Sequence, residues 1–127
     1  MALVPKVGTM GAMKTNPTLE PDVRAGRLRP GMTFNQRVWT LTAQVPAGKV
    51  VTYADVATAL GSKGYRAVGN ALNRNPFAPG VPCHRVVGSD GKLTGFAGGL
   101  PKKEQLLTAE GVRVTGGRAD LAARHRF

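Results

Sequence analysis

Cysteine is all but missing: Cys83 is the only one in 127 residues. The chain therefore closes no internal disulfide and builds no cysteine-rich zinc site. That scarcity suits a reducing compartment, so a cytoplasmic location is expected, nucleoid-associated if the source is bacterial. No apolar run approaches the roughly 20 residues of a membrane span, and no strongly amphipathic basic helix stands out, so no membrane partner is expected. The start, Met1 to Lys6, lacks a basic stretch followed by a sustained apolar one, and no secretory signal is expected. Acidic residues number 7 against 18 Lys and Arg, a formal charge of +11. A polyanion is the economical partner for such a surface, and nucleic acid is the commonest one. What remains is ordinary: 42% hydrophobic residues and a mean hydropathy of -0.15 describe one domain with a modest core, plus tails.

The lone cysteine stands in Pro82-Cys83-His84-Arg85, beside one of only two histidines. A thiol does chemistry as thiolate, and a neighbouring imidazole is one of the few groups that takes its proton near neutral pH. Most free cysteines are small buried hydrophobes, so the pair alone does not decide the matter. Val86-Val87 reads as a short buried strand. On an extended chain neighbours point to opposite faces, so a direct contact between Cys83 and His84 would be awkward.

Around this stretch the chain divides into three. Residues 1–32 hold all four methionines and four of the nine prolines and read as an extended basic arm. The folded part spans 33–111. Thr33 and Gln36 form a capping box, and Phe34, Val38, Leu41 and Val45 make one helical face that ends at Pro46 and Gly48, with Trp39 beside it as core. Val50-Val51 is extended. Thr52 and Asp55 open a second helix through Leu60, and a tight turn at Gly61 to Gly64 leads to a third, about Tyr65 to Arg74. This is a helix-turn-helix pattern. Tyr65, Val68 and Leu72 should face inward, leaving Arg66, Ala67, Gly69, Asn70 and Asn73 as a small-residue surface with one projecting guanidinium. Ser89 to Lys92 reads as a hairpin turn returning through Leu93-Thr94. A glycine-rich loop, Gly95 to Leu100, precedes a last helix carrying Glu104, Leu106 and Leu107 and stopping at Gly111. Residues 112–127 read as a second basic tail. The expected architecture is mainly α with a short β-hairpin, a winged-helix-like helix-turn-helix domain.

Pro82-Cys83-His84-Arg85-Val86, Arg66-Ala67-Val68-Gly69-Asn70-Ala71, Asn75-Pro76, Gly48-Lys49-Val50-Val51-Thr52-Tyr53 and Gly95-Phe96-Ala97-Gly98-Gly99-Leu100 together resemble, in order and spacing, the catalytic, DNA-binding domain of the O6-alkylguanine-DNA alkyltransferases. The resemblance covers about Thr33 to Gly111. It implies that Cys83 accepts an alkyl group from O6 of guanine, that His84 deprotonates it through a water, and that Glu104 orients the histidine. It implies that Arg66 fills the base stack when the guanine flips out, that Tyr53 presses on the phosphate and touches the base, and that Asn75 is a hinge. Phe96, with backbone groups near Val86 and Ala97, would complete the base pocket, and Arg85 would join the DNA contacts. The implied partner is double-stranded DNA containing O6-alkylguanine, met by a monomer that needs neither metal nor other cofactor. Full-length members commonly carry a larger N-terminal domain, sometimes with a structural zinc, and residues 1–32 contain no cysteine or histidine for one. A second reading is the alkyltransferase-like branch, which replaces the cysteine and flags lesions for excision-repair proteins. A Cys-His hydrolase is a third, and neither motif order nor charge supports it.

Overall fold

A computed structural model describes residues 19–127, apart from Lys63, Pro79 and Ala97. Both expected capping boxes form. The Thr33 side chain accepts from the Gln36 amide while the Gln36 side chain accepts from the Thr33 amide, starting helix α2, Phe34–Ala43. Thr52 and Asp55 do the same for α3, Tyr53–Ala59. Each box satisfies two backbone donors that a helix start would otherwise leave orphaned, and losing the cap residue of such a box costs about 1 kcal/mol. Helix α4 follows at Tyr65–Asn73. Its Val68, Ala71 and Leu72 pack into the main core with Val38, Leu41 and Val45. Trp39 ties the two layers: its ring is buried and its Nε1 donates to the Ala71 carbonyl at 2.7 Å.

Two short strands, β1 (Val51–Thr52) and β2 (Val86–Val87), pair in parallel with Val51 opposite Val86 and Thr52 opposite Val87. All four residues are fully or almost fully buried. A parallel pair needs a crossover, and here α3, the turn and α4 supply it. The pairing brings the start of α3, with Tyr53, beside the chain that has just left Cys83. The hairpin expected over 86–94 is therefore a turn only. Gly88 and Lys92 close it through the Gly88 amide and Lys92 carbonyl, but β2 takes its partner from β1.

The antiparallel hairpin lies further on, in the stretch expected to be a tail: β3 (Val114–Thr115) pairs with β4 (Arg118–Ala119). Residues 112–127 are a folded layer. Val112, Ala119 and Leu107 of α5 (Leu100–Ala109) share a second core cluster with Val50, Val87 and Leu93. Gly91, at φ 86°, lets the 88–92 turn touch this layer, since a Cβ there would run into the Ala119 carbonyl. The final segment lies along the free edge of the β1 end: the Val50 amide donates to Ala123 and the His125 amide to Val50. Apolar residues spaced too irregularly for a strand or helix period carry this layer, and a period reading passes over them.

Part of the expected N-terminal arm is also folded. Helix α1, Glu20–Ala25, buries Val23 against the core. Its basic neighbours face acids: Arg24 pairs with Glu20, and Arg27 and Arg29 with Asp22. Residues 1–18 lie outside the described part of the chain.

Candidate active site

Cys83 sits in a tight 3-10 turn, Cys83–Arg85, capped by Pro82. Turn geometry replaces the extended chain expected there. The Cys83 amide donates to Val81 at 2.9 Å and the Arg85 amide to Pro82 at 2.9 Å. Successive side chains of a 3-10 turn point about a third of a turn apart, so three neighbours reach three different surroundings. Cys83 faces a cavity of about 190 Å³ lined by Tyr53, Leu72, Asn73, Asn75, Phe96 and Gly98, among others. That is below the roughly 300 Å³ at which drug-sized sites begin, and it suits one flat heterocycle. A larger groove of about 790 Å³ crosses α5 and the β3–β4 hairpin, but Cys83 is not on it.

His84 turns the other way and is buried, 3% exposed. Its Nε2 lies 3.0 Å from Glu110 Oε2. With the carboxylate as acceptor, Nε2 carries the proton and Nδ1 keeps its lone pair. Arg85 grips the same carboxylate, its Nε donating to Oε1 at 2.9 Å and its Nη2 to Oε2, while Nη1 donates to the Val45 carbonyl at 2.7 Å. Burial pushes the His84 imidazole below its ordinary 6.5, and Glu110 beside it resists the fall. For Glu110 itself, burial works to raise the carboxyl, and the hydrogen bonds from Arg85 and His84 outweigh it and leave it below the usual range. The result is a neutral imidazole held in one tautomer by a firmly ionised carboxylate.

Tyr53 and Phe96 both line the cavity. The Tyr53 hydroxyl donates to the Thr94 carbonyl at 3.2 Å and accepts from the Thr94 hydroxyl at 3.3 Å. Lys103, 1% exposed, donates to that same carbonyl at 2.8 Å, and its ammonium stands 6.0 Å from the Tyr53 ring centre. Burial lowers Lys103 from an ordinary 10.5 to about 8, and a negative sulfur at Cys83 works the other way. Asn75 links α4 to the cysteine loop. Its Nδ2 donates to the Val81 carbonyl at 2.9 Å, and its Oδ1 accepts from the Phe77 amide at 2.9 Å.

Residues 33–112 match the family model of the 6-O-methylguanine DNA methyltransferase DNA-binding domain. The chain belongs to that family. It is 52% identical over 81 residues to a methylated-DNA–protein-cysteine methyltransferase of Methanosarcina barkeri, a match covering 63% of this chain and 51% of that protein. It thus spans about half the length of the curated relatives it matches. Among solved structures, Mycobacterium tuberculosis OGT in complex with DNA superposes with a TM-score of 0.60 at 39% identity, over 74% of this chain and 64% of that one. S. pombe Atl1, in complex with damaged DNA containing O6-carboxymethylguanine, gives 0.64 at 27% identity, over 73% of this chain and 94% of that one.

Several expected site residues fall together. Cys83, Tyr53, Phe96, Asn73 and Asn75 share one cavity. Arg66, Ala67, Asn70 and Asn73 are exposed along one side of α4, with Gly69 half-buried among them. A Cβ on Gly69 would meet nothing within 4 Å. Glycine there costs about 1 kcal/mol against alanine, and no contact inside the protein requires it.

Four expectations are corrected. Glu104 is exposed and lies on the wall of the larger groove, away from His84. Glu110 takes its place, because Lys103 and Leu107 define the buried stripe of α5 and Glu110 continues it three residues on, while Glu104 is about 100° off that stripe. Arg85 is not available to DNA, since all its bonded donors serve Glu110 and Val45. The Val86 side chain adds nothing to the cavity wall, since it is fully buried in the core. Tyr65, expected inward, is 54% exposed, since at the first position of α4 the inward stripe has run past the edge of the core. Ala97 lies outside the described residues. Lys103 and Glu110 were both missed, and the i, i+4, i+7 spacing of Lys103, Leu107 and Glu110 was the available signal.

Proposed function

We propose that this chain repairs DNA by moving an alkyl group from O6 of guanine to the sulfur of Cys83, once per molecule. The observation that carries the reading is the His84–Glu110 pair immediately behind a cysteine that opens on a base-sized cavity. In the proposed sequence the duplex meets the exposed side of α4, and the damaged guanine leaves the stack, since its O6 alkyl carbon is not presented in line to a thiolate within a stacked pair. Arg66 occupies the gap. The base enters between Tyr53 and Phe96. Cys83 gives its proton, through a water, to Nδ1 of His84, and Glu110 steadies the imidazolium as the third member of a triad does. The sulfur–carbon bond forms as the carbon–O6 bond breaks, and the electron pair stays on guanine. The proton passes from His84 to a ring nitrogen of the departing guanine. Lys103 holds positive charge near the developing anions without touching bulk water.

A thioether offers no carbonyl for water to attack, so the sulfur is not regenerated. Stoichiometry tests this directly. Methyl transferred from labelled duplex should rise to one equivalent of protein and stop, and continued turnover would refute the single-event mechanism.

The likeness to S. pombe Atl1, spanning nearly all of that shorter protein, favours a second reading. In it the same surface holds the lesion without transfer and presents it to excision-repair proteins. Lesion-specific binding with no methyl gained by the protein would select that reading.

A further inference from the structure

The last residues of the chain lie beyond the stretch 33–112 that the family model matches, yet they pack beside the helix-turn-helix. Val50 and Arg124 form a parallel bridge, so the segment runs in the same direction as the chain that passes through β1 into α3. Arg124 then clamps Asp55, its Nε donating to Oδ2 at 2.9 Å. Continuing alongside α3, His125, Arg126 and Phe127 meet Asp55, Thr58 and Ala59 around a surface hollow of about 250 Å³. The Phe127 ring stands edge-on to His125 at 5.4 Å between centres.

Charge decides what this surface fits. Asp55 is the only acid around the hollow, and it is already taken by Arg124 and by the Thr52 amide. Arg126 is exposed and makes no ion pair among the described residues. Thr58 and Ala59 form the last turn of α3, next to the turn that leads to Tyr65 and Arg66. In a helix-turn-helix the first helix crosses the nucleic-acid backbone while the second enters the groove. A free guanidinium along α3 therefore stands where a phosphate would pass, flanking the groove that α4 would occupy.

We infer that Arg126, carried by the C-terminal segment along α3, is a DNA-backbone contact that extends the interface beyond the α4 surface. This rests on the DNA-directed reading above. It assigns the segment a sequence-independent role: the contact anchors the duplex and reads no base.

The test is the salt dependence of binding to a duplex with and without O6-methylguanine, for wild type, Arg126→Ala, Arg126→Lys and Arg113→Ala. Each phosphate contact adds about 0.9 to the log–log slope. Arg126→Ala should lower the slope by about that amount on both duplexes, and Arg126→Lys should restore most of it. Arg113→Ala removes the same unit of charge at the β3–β4 hairpin and should leave the slope near that of wild type. Transfer from free O6-alkylguanine base should be the same in all four proteins. An Arg126→Ala slope equal to wild type, or to that of Arg113→Ala when both fall, overturns the inference alone. A wild-type protein whose binding ignores salt overturns the DNA-directed reading beneath it.

Discussion

Glu110→Gln changes one atom at the carboxylate that holds the active-site turn together. The side chain keeps its shape, but the charge shared by His84 Nε2, Arg85 Nε and Arg85 Nη2 is gone. Hydrogen bonds to a charged group contribute about 1.5–3 kcal/mol each where they are well shielded. Here the Glu110 side chain is 19% exposed, which discounts that figure, and a net loss of about 1–3 kcal/mol in folding stability is expected. The catalytic loss should be larger. An amide can present its NH2 to Nε2 and favour the tautomer with the proton on the wrong nitrogen, and it cannot stabilise the imidazolium. Losing a positioned base costs about 100-fold to 10,000-fold. Single-turnover transfer from methylated duplex and from free base should both fall by at least about 100-fold, with stability followed by thermal melting. Glu104→Gln is the control, six positions earlier on the same helix and exposed, and its rate should stay within about twofold. A Glu110→Gln protein that transfers at near wild-type rate, or a Glu104→Gln protein that fails equally, would refute the assignment of the orienting carboxylate.

The other predictions follow from the same geometry. Lys103→Met removes an ammonium whose burial lowers it to about 8; folding stability at pH 7 should rise by roughly 1–3 kcal/mol while transfer slows, and a melt with no gain would contradict the buried-charge argument. Because burial holds His84 below 6.5, the neutral imidazole predominates at pH 7. The transfer rate governed by that base should reach half its maximum on the acid side of 6.5, and a half-maximal pH above that value would count against it. The same depression has a sign for stability. The unfolded chain binds the His84 proton more readily, so the contribution is present above 6.5 and is lost as pH falls through the lower folded value, with Glu110 adding its own loss below the usual carboxylate range. Arg66→Ala should slow duplex repair far more than free-base transfer, since only the duplex has a gap to fill; equal losses in both would make Arg66 structural.

Much of this domain was legible in the sequence for reasons that can be named. Thr33 with Gln36 and Thr52 with Asp55 are reciprocal caps that need only local chain, and both formed. The cavity was legible because Tyr53, Asn75, Cys83 and Phe96 sit in motifs of fixed order. The helix that supplies the orienting acid was not. Lys103 occupies a buried position on α5 where a hydrophobic period expects an apolar residue, so the stripe through Lys103, Leu107 and Glu110 reads as polar and Glu104 looks equally plausible. Arg85 misled for a related cause: an arginine after a histidine reads as surface charge until the 3-10 turn swings it onto Glu110. Residues 112–127 looked like a tail because single backbone bridges and scattered apolar residues, rather than any periodic pattern, attach them to Val50 and Leu107.

The central claim is that Cys83 takes the alkyl group, and intact-protein and peptide mass spectrometry after incubation with O6-methylguanine duplex tests it most directly. The account predicts a mass gain of one methyl replacing one hydrogen, confined to the peptide containing Cys83, and no gain in Cys83→Ser despite retained lesion binding. Unmodified wild-type protein bound tightly to the lesion, or a methyl group found on any other residue, would contradict it.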